Sequence, residues 1–154
     1  MKSALVTGAL GGIGVATCKA FSDAGYSVIA VDRRAGAFTD GQFIQFDIRD
    51  LHQRPDTATG FLEEVRRLAA GKLDVLVNNA AIQITKPVDD LDVSDWDVTL
   101  ETNLIAPFLL IKYLLPELRA ANGTVINVAS IHAVATKPGF VAYATSKGAL
   151  VALT

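Results

Sequence analysis

Tyr143 and Lys147 stand four residues apart in the stretch Y-A-T-S-K, and Ser130 lies thirteen residues before Tyr143. On a helix, positions i and i+4 share one face, which sets an ammonium beside a phenol. A free tyrosine titrates near ~10, too high for proton exchange at neutral pH, and a neighbouring cation favours the phenolate. With a serine hydroxyl supplied from the end of a preceding strand, the trio suits proton transfer at the oxygen of an alcohol or ketone, Ser130 holding that oxygen in place. Taken alone, Y-x-x-x-K reads better as a coincidence on a helical surface. The other end of the chain decides between the two.

Residues 2 to 7 (K-S-A-L-V-T) read as a short buried strand, and T-G-A-L-G-G-I-G follows at once, opening a helical run from Gly14. A strand, a glycine-rich turn and a helix N-terminus together make an anion site, because backbone N–H groups and the helix dipole both point at the ligand. Glycine lets such a turn reach unusual backbone angles and lets a pyrophosphate approach the main chain. The spacing is T-G-x-x-x-G-x-G rather than G-x-G-x-x-G.

In this context the chain resembles the short-chain dehydrogenases/reductases. Their pattern of a glycine motif, an N-N-A-G segment, an Asn, a Ser and Y-x-x-x-K is matched by Thr7 to Gly14, Asn78-Asn79-Ala80-Ala81, Asn103, Ser130, Tyr143 and Lys147. Ala81 departs from the usual glycine. The resemblance covers essentially the whole chain and implies an NAD(P)-dependent oxidoreductase that interconverts a secondary alcohol and a ketone by hydride transfer. By resemblance, Tyr143 is the general acid/base and Ser130 orients the carbonyl. Lys147 binds the nicotinamide ribose, and Asn103 holds a water in a proton relay. Gly8, Gly12, Ile13 and Gly14 are expected at the pyrophosphate, and Asn79 and Ala80 at the adenosine side, with Tyr143 and Lys147 also touching the cofactor. No metal is expected.

Alternating strand and helix patterns argue for a parallel sheet. The expected class is α/β, a Rossmann-like doubly wound sheet of five strands in the order 3-2-1-4-5, with residues 1–154 forming one dinucleotide-binding domain. Strands are expected to end at Asp32 and Asp47, with D-V-L-V-N as the fourth and G-T-V-I-N-V-A-S as the fifth. Helices are expected from Asp56 as cap to Gly71 as stop, with a Glu63–Arg67 pair, and from Ser94 by a capping box. A long helix is expected from Asn103 to Ala120, and a last one from Tyr143. The short segment between Asp32 and Gln42 predicts an irregular connection rather than a crossover helix.

A carboxylate at the end of the second strand accepts bonds from the adenosine ribose hydroxyls and repels a 2′-phosphate, so Asp32 favours NAD over NADP, although Arg33 and Arg34 follow it. Asp47 is expected on the adenine amino group by resemblance, or else as a carboxylate capping the following turn. Gln83 and His132 resemble the 3-hydroxybutyrate dehydrogenase branch, where such residues bind the substrate carboxylate; Phe140 stands where that branch has a lysine. The alternative for His132 is a loop histidine bonded to backbone. A small hydroxy or keto acid ranks first among substrates.

A net charge of −2 gives no reason to expect nucleic acid or an anionic membrane as partner. The single Cys18 is consistent with a reducing cytoplasm. The longest apolar stretch is interrupted by Pro107 and Lys112 and is shorter than a bilayer span. Leu104, Phe108, Ile111, Leu115 and Leu118 form an apolar stripe on a helix that is hydrophobic nearly all round, which predicts a homo-oligomer through residues 103–120. Relatives run on past this helix, adding strands and a substrate lid. The competing expectation is therefore a truncated nucleotide-binding fragment without turnover, its fifth strand left as a bare sheet edge.

Overall fold

The computed structural model describes residues 1–154. Five strands, β1 (Ser3–Thr7), β2 (Ser27–Asp32), β3 (Gln42–Gln45), β4 (Val75–Asn78) and β5 (Thr124–Asn127), form one sheet in the order β3-β2-β1-β4-β5. Every pairing is parallel, with Ser3 opposite Ser27, Ala4 opposite Val75, Ile29 opposite Gln42 and Val75 opposite Thr124. The order is the expected one. β1 and β4 are buried along their whole length, so their continuous apolar runs cover both faces of the sheet at once.

The two faces are filled differently. On one side α1 (Gly12–Asp23) lies against Ala4, Val6, Ala9, Val28 and Ala30 through Cys18, small residues that let the helix sit close to the sheet. The other side carries the larger core, where Leu5, Ile29 and Leu76 meet α3 (Pro55–Leu68), α5 (Ala106–Tyr113) and α6 (Leu115–Ala121) through Phe61, Leu62, Val65, Leu110 and Leu118. Phe46 and Phe61 stack there with centroids 4.0 Å apart. β5 lies last in the order beside β4, with Ile126 42% exposed. No single helix is long and apolar enough to cross a membrane.

Between Asp32 and Gln42 the chain is irregular, as its length dictates. A single helical turn, α2 (Asp50–Gln53), precedes α3 and had no signature in the sequence. Several local expectations are corrected. α3 starts with Pro55 at its first position, so Asp56 sits in the first turn rather than at the cap, and Arg67 pairs with Glu64 instead of Glu63. The capping box of α4 (Val93–Leu100) is made by Asp92 and Asp95, and the helix begins one residue before Ser94. The helix expected from Asn103 to Ala120 is neither separate nor continuous. It grows out of α4 through a π turn at Glu101–Ile105, runs to Tyr113, and bends by 60° before α6. Pro116 has no N–H to give to the carbonyl four residues back, which accounts for the bend. Arg66 then donates to the Tyr113 carbonyl at 2.9 Å and to Glu117 at 2.9 Å, spanning the break from α3. The buried face of this run is Ala106, Leu109, Leu110, Leu114 and Leu118; of the expected stripe only Leu118 is buried, while Phe108 faces outward. α7 (Val141–Leu153) packs against α4 and the π turn.

Candidate functional site

At the carboxyl ends of β1 and β4 the chain makes a cleft of about 400 Å³. Gly8, Gly12, Ile13, Gly14, Asp32, Asp47, Asn79 and Ala80, the whole set expected around the dinucleotide's adenosine and phosphates, line it together. Gly8 takes a positive φ of 64°, and a Cβ there would stand 2.8 Å from the Ala80 Cα, so only glycine allows the loop to lie against β4's end. A Cβ on Gly14 would collide with the Gly8 carbonyl. Gly12 is different. It starts α1 without a positive φ, and a Cβ there would meet no protein atom within 4 Å. The protein's own packing gives no reason for a glycine at this position; a side chain would enter the cleft. The first turn of α1 has neither a capping side chain nor an acidic residue, which leaves its N–H groups for an anion. Residues and cleft therefore fit a dinucleotide pyrophosphate.

The floor is fastened by one junction. Thr7 Oγ1 accepts from the N–H groups of Asn79 and Ala80, each at 3.1 Å, while Asn79 Nδ2 donates to the carbonyls of Thr7 and Gly8 at 2.9 and 3.1 Å. Asn78 turns away and donates to Asn127 on β5 at 2.8 Å.

At the far end, Asp32 is only 6% exposed and accepts from the Leu10 N–H at 3.0 Å, from the Arg34 N–H at 3.0 Å and from the Arg34 guanidinium at 3.1 Å. Burial works to raise its carboxyl, and the hydrogen bonds from Arg34 and Leu10 outweigh it, holding Asp32 below the usual carboxylate range. Asp47 repeats the arrangement with Arg49, whose N–H donates at 3.0 Å and whose guanidinium donates at 2.8 Å; burial is again outweighed by these bonds. Asp47 thus both caps the turn after β3 and faces the cleft. Gln83 is exposed on the loop after β4.

Ser130, Tyr143 and Lys147 are not among the residues lining that cleft. Tyr143 and Lys147 share one face of α7, the Lys147 ammonium 5.8 Å from the phenol ring centroid. Lys147 is 2% exposed and donates to the Val128 carbonyl, just past β5, at 2.6 Å. Ser130 caps a single turn at Ile131–Ala133 by accepting from the His132 N–H at 3.2 Å, which leaves its own hydroxyl hydrogen free to donate. His132 stacks on Phe140 and stands edge-on to Tyr143.

Asn103 is fully buried in the π turn. Its side chain accepts from the Ile82 N–H at 2.8 Å and donates to the Ile82 carbonyl at 2.9 Å and to Ser146 Oγ at 2.9 Å. The amide is thereby committed to bolting the loop after β4 onto α7. Ser146, buried between Asn103 and the Tyr143 carbonyl, and Leu10, whose N–H reaches Asp32, carried no motif signal because each bonds a residue distant in sequence.

A glycine-walled cleft at the switch point of a parallel sheet defines a Rossmann-like α/β protein. The family model described as short chain dehydrogenase matches residues 2–154, and the chain belongs to that family. It is 40% identical to protein FixR of Bradyrhizobium diazoefficiens, over 99% of this chain and 59% of that protein. Among solved structures, a short chain dehydrogenase/reductase family oxidoreductase from Brucella ovis in complex with a partially ordered NAD superposes with TM-score 0.88 at 36% identity, covering 99% of this chain and 74% of that one. A 4-hydroxyisoleucine dehydrogenase complexed with NADH gives TM-score 0.86 at 28% identity, covering 100% and 66%. The chain spans 59% to 62% of the length of FixR and of two further curated relatives it matches.

Burial pushes the Lys147 ammonium down from 10.5 to about 8. The unfolded chain therefore keeps this proton to higher pH than the folded one, so the contribution of Lys147 to stability rises as pH climbs from about 8 to 10.5 and is lowest below that window. In denaturant unfolding, the wild-type protein should gain on Lys147→Met across this window; a constant gap between the two would show that Lys147 does not titrate there.

Proposed function

We propose that the protein is an oxidoreductase that interconverts a secondary alcohol and a ketone by hydride transfer with NAD(H), Tyr143 acting as general acid/base. The observation that carries this reading is the shared face of α7, where the Lys147 ammonium lies 5.8 Å from the Tyr143 ring. Bound nicotinamide would supply or accept the hydride. Gly8, Gly12, Ile13 and Gly14 would hold the pyrophosphate, Asp32 the adenosine ribose, Asp47 the adenine, and Asn79 and Ala80 would lie beneath the ribose, with Lys147 on the nicotinamide ribose.

In reduction, Ser130 donates its free hydroxyl hydrogen to the substrate oxygen and holds it beside Tyr143. Tyr143 then gives that oxygen its proton as the carbon is reduced. The Lys147 ammonium offsets the negative charge that develops on the phenol oxygen as this proton leaves, and in oxidation Tyr143, as the phenolate, takes the proton back. Asn103 and Ser146 keep α7 in place against the loop after β4. Tyr143→Phe should lower kcat by at least about 1000-fold while changing NADH affinity less than about threefold, because only the proton donor is lost. Turnover retained by this variant would sink the assignment.

We propose NAD rather than NADP as the preferred cofactor, since the Asp32 carboxylate would repel a 2′-phosphate. The two superposed structures are complexes with NADH and with NAD, which supports the choice. Asp32→Ala should weaken NADH binding about tenfold, the worth of a hydrogen bond to a charged group. NADPH binding should be affected less, because Arg33 and Arg34 remain. Tighter binding of NADPH than NADH by the unmutated protein in fluorescence titration would overturn the preference.

We also propose that the outer face of α5, where Phe108 is 46% exposed beside Ile111, meets a second copy of the chain. Sedimentation at micromolar concentration should then show an oligomer, and Phe108→Asp should shift it toward monomer. A monomeric wild-type protein would refute the interface.

A further inference from the structure

We propose that His132 is a positioning residue for Ser130 and Tyr143, an inference that rests on the reading of Tyr143 as the proton-transfer group. Its ring lies flat on Phe140, with centroids 4.2 Å apart and planes 6° apart. It also meets Tyr143 edge-on at 5.9 Å and 75°. Phe140 in turn meets Tyr143 at 6.3 Å and 69°. The three rings are therefore paired in every combination, one pair stacked and two edge-to-face.

The platform itself is anchored. Phe140 is 8% exposed and is the residue from which α7 starts. His132 Nδ1 lies 3.0 Å from Thr136 Oγ1, which fixes the rotation of the imidazole. The Lys137 ammonium stands 5.0 Å from the Phe140 centroid. Gly139, at φ 85°, accepts at its carbonyl from the Lys86 N–H at 3.0 Å, tying this loop to the segment after β4.

The same residue reaches the second catalytic group through its backbone, since the His132 N–H is the donor to Ser130 Oγ. One residue thus sets the ring plane of the proton donor and the direction in which the serine hydroxyl points. With one ring face on Phe140 and Nδ1 engaged by Thr136, the imidazole is held in place beside Tyr143. Proton transfer and oxygen positioning both depend on tenths of an ångström, so freeing Tyr143 from this wall should act on the chemical step.

The test uses His132→Ala and His132→Phe in the full protein, with 2-butanol and 3-hydroxybutyrate as probe alcohols and saturating NAD. His132→Ala should lower kcat about 10- to 100-fold with substrate and NAD KM values within about twofold. His132→Phe, which keeps the stack and the edge contact but not the nitrogen, should recover most of that loss. Thermal unfolding of both variants confirms that they fold. A reading independent of turnover comes from NMR of ring-labelled tyrosine: the Tyr143 resonances should lose their ring-current shift in His132→Ala and keep it in His132→Phe. Tyr143 resonances that do not move in His132→Ala would overturn the inference. So would a His132→Phe variant as damaged as His132→Ala with a raised substrate KM, because the nitrogen would then be contacting substrate. Turnover retained by Tyr143→Phe would instead overturn the reading on which the inference rests.

Discussion

The junction of Thr7 with Asn79 is what the rest of the site hangs from. Two adjacent parallel strands end side by side at the point where the strand order reverses, and their connections leave in opposite directions. A crevice opens there by topology, but its shape depends on how firmly the two strand ends are joined. One hydroxyl and one amide supply the join by crossing over, Thr7 receiving two backbone N–H groups of the β4 end and Asn79 bonding two carbonyls of the β1 end. Gly8 can pass so close to Ala80 only because it has no Cβ. The glycine loop, Asp32 and Asp47 and the path of the chain towards Asn103 all border the cleft that opens at this point.

Charge within the cleft is compensated locally. Asp32 and Asp47 each carry an arginine two residues downstream, and each bonds both its backbone N–H and its guanidinium. A nearly buried carboxylate such as Asp32 would otherwise be costly, and four N–H donors from Leu10 and Arg34 offset that cost. Lys147 has a carbonyl dipole for a partner instead of a carboxylate, which is why burial dominates its titration. The two ends of the site thus handle a buried charge in opposite ways.

The alternation of apolar strands with helical segments made the sheet order legible in the sequence, and the glycine spacing located the cleft. All eight residues expected along its phosphate and adenosine side line it. What escaped was set by tertiary contacts or by choices among neighbours of the same type. Glu63 and Glu64 both stand within reach of Arg67, and the i,i+3 partner won. Asp92 and Ser94 both suit an N-cap, and only Asp92 has an acid three residues on whose side chain returns the bond. The break at Leu114 was written in Pro116, yet the run of leucines around it masked the signal. The π turn holding Asn103 has no composition of its own; it follows from the bonds that Asn103 makes to Ile82 and Ser146.

An all-parallel sheet has no hairpins, and that orders events in time. Neighbouring strands must wait for their crossover, and the central pair waits longest, since Ser3 on β1 bonds to Asp74 beside β4 across 71 residues of chain. Contacts so distant in sequence are slow to form because the loop must close before anything rewards it. As the chain leaves the ribosome, β1, α1 and β2 can assemble first, carrying the glycine loop with them. The opposite wall arrives only with Asn79 and Ala80. Until then the loop has nothing to lean on, and a nascent chain acquires its nucleotide pocket in a single late step.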